Sequence, residues 1–235
     1  NPAPYHMNNV LLHCAGVVLL WRVLTLLNLP GAWIAAAVFA LHPIHVESVA
    51  WITERKNVLS GLFYFGSVWA YLRYGLEPPN RAGRPTSRWF YLASLLLFTC
   101  ALLSKTVTCS LPAALLLALW WKRRIRWPDL KTLVPFFALG LGLGFLTIWM
   151  ERNIVGAVGE TWTFSAIERC LIAGRALWFY ASTLFWPHNL TFIYPRWIIN
   201  AADWKQYLFP VAAAGAMATL WMARRRIGRG PLVAA

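Results

Sequence analysis

The stretch Thr132–Met150 reads TLVPFFALGLGLGFLTIWM and holds no charged side chain. At about 1.5 Å per residue a helix over this run reaches about 28 Å, close to the thickness of a bilayer's hydrocarbon core. Uncharged runs of this length read as membrane-crossing helices. Similar runs lie on both sides of it. They cover about Asn8–Leu29 (interrupted by Arg22), Gly31 to about Val49, Asn57–Leu72, Trp89–Ser104, Thr106–Trp121 and Gln206–Ala223. Several fall short of the roughly 20 residues a crossing helix needs. Snorkelling Arg and Lys, with Trp and Tyr at the interfaces, lengthen their reach.

Composition agrees. The 235 residues are 59% hydrophobic and 13% charged, against about 45–50% and about 25% in soluble domains. Water is therefore the wrong solvent for this chain. The formal charge of +14 would suit nucleic acid if it formed one basic face. The Lys and Arg instead sit in short clusters between apolar runs, as membrane topology requires, and no nucleic-acid partner is expected. Cys14, Cys100, Cys109 and Cys170 lack any CxxC spacing. They read as small buried hydrophobes. Pro112, Pro135 and Pro210 fall near span ends or in first turns.

The run Ala166–Pro187 carries Glu168, Arg169 and Arg175 in its first half. If it does not span, seven crossings put Arg22, Arg73, Arg81, Arg84, Arg88, Lys122, Arg123, Arg124, Arg126, Lys131, Arg224, Arg225, Arg226 and Arg229 on one side, 14 of the 22 basic residues. If it spans, the balance becomes 10 against 12. The positive-inside rule selects the first arrangement, with these clusters cytoplasmic and 166–187 an interfacial or re-entrant helix. HPIHVESVAWITERKN, the SKT turn, residues 151–165 and PHNLTFIYPRW then share the outer face. The expected architecture is an all-α integral membrane protein, a polytopic bundle of about seven spanning helices plus an interfacial helix. Residues 1–235 form one transmembrane domain, with 151–205 a large outer loop.

The segment His42–Asn57 concentrates polar chemistry at a membrane surface: His42, His45, Glu47, Glu54, Arg55 and Lys56. Ionisable groups there are costly and draw functional attention. His42, His45 and Glu47 are possible metal ligands, but HPIH is not HExxH and Pro43 disturbs helical spacing. No metal and no cofactor is expected. The residues can instead cap helix ends and bond one another, or form a pocket for a phosphate-bearing ligand, with Arg55 and Lys56 supplying charge. Lys105 in LLSKT either snorkels or joins Arg55 and Lys56 at the same face. Arg169 and Arg175 are expected to pair with Glu168, Glu160 or lipid headgroups. His6, Asn8 and His13 read as a polar entry to the first span, with His13 packed in the bundle. Asn189-Leu190-Thr191 is a formal glycosylation sequon. There is no glycine-rich nucleotide loop, Ser/His/Asp set or redox pair.

The segments Tyr5–His13 (YHMNNVLLH), FALHPIHVESVAWITERKNVLS, ALLSKT followed by Leu111-Pro112, and LFWPHNLTFIYP resemble bacterial relatives of the transmembrane and tetratricopeptide-repeat O-mannosyltransferases, of the GT-C glycosyltransferase superfamily. The longest shared pattern is HPxHVExVAWxxERK. The resemblance implies a GT-C-like bundle that transfers a sugar, mannose among the options, from a polyprenyl-phosphate donor to a protein or other acceptor outside the cytoplasm of a bacterial inner membrane. It implies catalytic acids in an outer loop upstream of Asn1, so this chain, which starts without Met, is expected to be a fragment whose own catalytic residue is unknown. Restoring one upstream span would make Thr132–Met150 the seventh, ahead of a large outer loop. His42, His45, Glu47, Glu54, Arg55, Lys56 and Lys105 are expected to support donor or acceptor binding. The partners are then the lipid bilayer, a lipid-linked sugar substrate and a protein acceptor or complex subunits. The alternative is a catalytically inactive structural or accessory subunit. A transporter would place charges at mid-membrane, whereas these sit at run ends.

Overall fold

The computed structural model describes residues 2–76, 88–122, 125, 127–155, 164–188, 190–191 and 193–234. Most of the EPPNRAGRPTSR loop, Arg123, Arg124, Arg126, Glu160 and Asn189 lie outside the described residues. The described residues are helical, with no strand among them. They divide into two compact units, Asn1–Trp149 and Met150–Ala235.

In the first unit, helix α1 covers Ala3–Leu26. It stops at Asn28, whose φ of 49° is left-handed. Asn tolerates that conformation because its side chain is short and polar, and it is a common residue just past a helix end. Gly31, at φ 72°, then starts α2, Ala32–Leu41. The expected continuous run from Gly31 to Val49 does not form one helix. Pro43 forces the preceding residue out of the helical region, and His42 is extended at φ −66° and ψ 127°. A tight turn over Pro43–His45 leads into α3, Val46–Ala50, and the two halves meet at 49°.

Helix α4, Arg55–Leu76, is the hub, packing most extensively on α5, Arg88–Ser104, and on α1. In lipid, helices gain little from burying apolar surface against each other, so small residues and interhelical hydrogen bonds drive close packing. Ser67 and Ser94 show this. Both are fully buried, and each hydroxyl donates to the other's backbone carbonyl at 2.8 Å. Helix α6 covers Leu111–Trp121 and α7 covers Trp127–Met150. Because α7 begins before Thr132, Pro135 lies inside it, whereas Pro112 sits in the first turn of α6. A core of Tyr71, Phe98, Leu111, Leu115, Leu133 and Phe136 joins α4 to α7.

Elsewhere the polarity runs opposite to that of a soluble domain. Asn9, Ser60, Ser67, Ser94 and Thr108 are buried, while Val10, Leu11, Trp33, Leu96, Leu141 and Phe145 face outward. This is a helical membrane protein. Two described helices, Ala3–Leu26 and Asp129–Ile154, are long and apolar enough to cross, or three if the bent pair at His42 counts as one span. The seven expected crossings are not all of this kind. Helix α4 is 22 residues long yet too polar to pass as a span, and α5 and Thr106–Trp121 are short.

The second unit contains α8, Ala166–Phe185, and α9, Leu208–Ala223, with a short α10 over Gly230–Ala234. A reciprocal cap starts α8: Ser165 accepts from the Glu168 amide, and Glu168 accepts from the Ser165 amide at 2.8 Å. These bonds hold the Glu168 carboxyl below its ordinary pKa. Helices α8 and α9 approach at Gly174, where a β-carbon would sit 2.6 Å from the Pro210 nitrogen.

The cysteines are not small buried hydrophobes. Cys14, Cys109 and Cys170 are exposed and Cys100 is half-buried, all as free thiols. The helix faces that carry them point away from the protein core, where an apolar side chain needs no burial if lipid is the solvent.

Candidate polar site at the corner of the first unit

The break at His42 turns the chain back toward α4, so 42–57 forms a polar corner. His42 Nδ1 accepts from the Ile44 amide at 3.3 Å, capping the turn that follows. His45 lies with its ring 4.3 Å from that of Phe39, 5.3 Å from His13 and 6.4 Å from His42. His13, reaching from α1, shares a hydrogen bond of 3.2 Å with the Ala40 carbonyl. A cavity of about 220 Å³ opens between α1, this corner and α4, with His13, His45, Ser48 and Asn57 among its lining groups.

Asn57, in the first turn of α4, ties the corner together. Its amide nitrogen donates to Ser48 Oγ at 3.1 Å and to the Glu54 carboxylate. Its oxygen accepts from Lys105 Nζ at 2.6 Å. Glu54 also pairs with Lys56, Oε1 to Nζ, at 3.2 Å. Lys56 thus pairs with the carboxylate directly and Lys105 joins it through Asn57, so two ammonium groups and one carboxylate leave an excess positive charge. The positive end of the α4 dipole adds to it. The Lys56 side chain is 57% exposed, so an anion can reach it. At that exposure the Lys56–Glu54 pair itself contributes only about 0–1 kcal/mol.

Arg55 points elsewhere. Its Nε donates to Asn9 Oδ1 at 3.2 Å, and its guanidinium lies 5.7 Å from the Tyr5 ring centre. Asn9 in turn donates to the Trp51 carbonyl at 3.1 Å. Arg55 therefore locks α1 to the corner. The structure brings Glu54, Lys56 and Lys105 into one network and His42 with His45 into another. Glu47 is exposed and joins neither among the described residues. No three His, Cys, Asp or Glu residues converge as a ligand set among the described residues, so His42, His45 and Glu47 do not form one.

Sequence reasoning missed Asn57, Ser48 and Asn9. It placed the polar entry to the first span at His6, Asn8 and His13, yet Asn8 is exposed and its neighbour Asn9 fully buried. The helical phase of α1 alone could have separated them. The expected pairing of Arg169 and Arg175 with acids also fails among the described residues. Arg169 donates to the Phe164 carbonyl at 3.0 Å, and Arg175 lies over the Trp197 ring at 4.7 Å. Glu168 is occupied by its helix cap.

Comparison with known proteins supplies the remaining observation. No family model matches the chain, and no solved structure matches it. The protein O-mannosyl-transferase tmtc2 of Xenopus laevis is 42% identical over 76 residues, 32% of this chain and 9% of its own length. TMTC1 of Mus musculus is 39% identical over 112 residues, 45% of this chain and 12% of its own. Tmtc2 of Drosophila melanogaster is 38% identical over 119 residues, 48% of this chain and 12% of its own. Part of this chain is similar to protein O-mannosyl-transferases. It spans only 9% to 12% of the length of these three relatives.

Proposed function

We propose that this chain belongs to a membrane glycosyltransferase of the O-mannosyltransferase type. It takes a sugar, mannose being the first choice, from a polyprenyl-phosphate donor and passes it to a protein or other acceptor on the extracytoplasmic side. The bundle is of the GT-C kind, with about seven spans, in a bacterial inner membrane. The observation that carries the reading is the corner network. Two ammonium groups, Lys56 on the Glu54 carboxylate and Lys105 on the Asn57 carboxamide, meet beside a helix N-terminus in a chain partly similar to sugar transferases.

In glycosyl transfer from a lipid phosphate, negative charge grows on the departing phosphate. Fixed cations and oriented dipoles that meet this charge lower the barrier. Lys56 and Lys105 fill that role, with Asn57 and Glu54 positioning them. Arg55 holds α1 against the corner and acts through that contact. A carboxylate acts as general base on the acceptor hydroxyl.

The same network favours a second reading. Lys56 and Lys105 are both engaged internally, as a clamp between α4 and the turn after α5 would require. An accessory subunit without activity would keep such a clamp. Sugar transfer from a labelled polyprenyl-phosphate sugar, in membranes holding the full protein, separates the two. Transfer lost in Lys56→Ala and Lys105→Ala, with the protein folded and present, supports catalysis. Unchanged rates in both variants remove these residues from the mechanism.

A further inference from the structure

The second unit carries a groove that the corner chemistry does not use. Helix α8, the start of α9 and Trp197 enclose about 660 Å³. One end holds Arg175, whose guanidinium lies 4.7 Å from the Trp197 ring centre and 5.8 Å from that of Phe209. Two carboxylates of this unit are committed elsewhere: Glu168 to the Ser165 cap and Asp203 to the Lys205 amide. Among the described residues no ion pair neutralises Arg175. Phe179, Leu208 and Ala212 make much of the rest of the groove apolar, and the Ser182 hydroxyl on its wall is spent on the Phe179 carbonyl at 2.8 Å. The two helices that border it are held close, because Gly174 of α8 meets the Pro210 backbone of α9 without room for a β-carbon. Trp178 Nε1 donates to the Phe209 carbonyl at 3.0 Å and ties the indole to α9.

A cation held between aromatic faces at one end, opening onto an apolar trough, matches an amphiphile with an anionic head. A guanidinium presents paired donors suited to phosphate oxygens, and aromatic rings with Arg favour the headgroup level of a bilayer. We propose that this groove binds an anionic phospholipid of the surrounding membrane. The phosphate sits on Arg175 and an acyl chain runs along Phe179, Leu208 and Ala212. The inference is independent of the transferase reading, since it uses a different unit, different residues and a different ligand.

The test is lipid retention. The full protein is placed in nanodiscs of equal parts phosphatidylglycerol and phosphatidylcholine, then released and weighed by native mass spectrometry. Wild type retains phosphatidylglycerol over phosphatidylcholine. Arg175→Ala lowers that retention on the order of tenfold, the scale of losing charge-assisted bonds, while circular dichroism stays that of wild type. Arg175→Lys keeps charge without the fork and falls between. Arg169→Ala, a cation on the same helix bound to a backbone carbonyl, retains lipid as wild type does. Equal retention of both lipids by wild type overturns the proposal, as does an equal loss in Arg169→Ala. Displacement of phosphatidylglycerol by polyprenyl phosphate, blocked by Arg175→Ala, overturns the choice of occupant. Should Arg175→Ala unfold, Arg175→Lys and Trp197→Ala carry the same comparison.

Discussion

Lys105 Nζ lies 2.6 Å from Asn57 Oδ1, joining the turn after α5 to the first turn of α4 across 48 residues of sequence. Asn57 also reaches Ser48 and Glu54, so one carboxamide orders three separate segments. Such a group is half-buried with both ends of its carboxamide bonded, and its loss strands several partners at once.

Asn57→Ala is therefore expected to lower stability by about 1–3 kcal/mol, the cost of leaving such partners unpaired. Thermal unfolding in detergent measures it. An unchanged midpoint would mean that water replaces the carboxamide at no cost.

The reciprocal bonds between Ser67 and Ser94 predict a graded response. Ser67→Ala removes hydrogen bonds that in membranes average about 0.6 kcal/mol each. Ser67→Leu adds bulk to a closed α4–α5 contact and costs about 1–3 kcal/mol through overpacking. Denaturation of the two variants side by side ranks them, and Leu matching Ala would contradict the close packing.

Gly174→Ala is expected to push α8 from α9 in the second unit. The new β-carbon would meet Pro210 backbone atoms at 2.6 and 2.7 Å, and backbone cannot swing aside as a side chain can. A cost of about 1–3 kcal/mol follows. Faster proteolysis between residues 186 and 207 would report it.

Acidification should fray the start of α8. Glu168 is fully exposed, and the Ser165 amide and hydroxyl hold its pKa below the ordinary 4.5. A depressed carboxylate pKa means that the stabilisation is complete above 4.5 and disappears as pH falls through the lower folded value. Amide exchange at 165–169 should rise over that window in wild type. In Glu168→Gln it should be fast and flat.

Much of the fold was legible because apolar runs must be helices in lipid. Thr132–Met150 announced α7, and Pro43 gave a reason for a break at His42. The angle of that break was not legible, since it depends on how α2 and α3 pack on α1. The site was legible as composition: HPIHVESVAWITERK gathers charge where charge is expensive. Which of its members meet was not. Three adjacent residues at a helix start, Arg55, Lys56 and Asn57, point about 100° apart at 3.6 residues per turn. Arg55 therefore turns to Asn9 and Asn57 to Lys105, and only the packed helices reveal the division. Lys105 joined the corner because α5 runs antiparallel to α4, which brings the end of α5 to the start of α4.

Binding of polyprenyl phosphate by the full protein tests the central claim, that the corner of the first unit is a phosphate site. Titration of wild type, Lys56→Ala, Lys105→Ala and the double variant gives the affinities, with circular dichroism as the check on folding. Each single variant should bind several-fold more weakly, and the double variant on the order of a hundredfold more weakly, as two charge-assisted contacts are lost. A folded double variant that binds as wild type does would contradict the account.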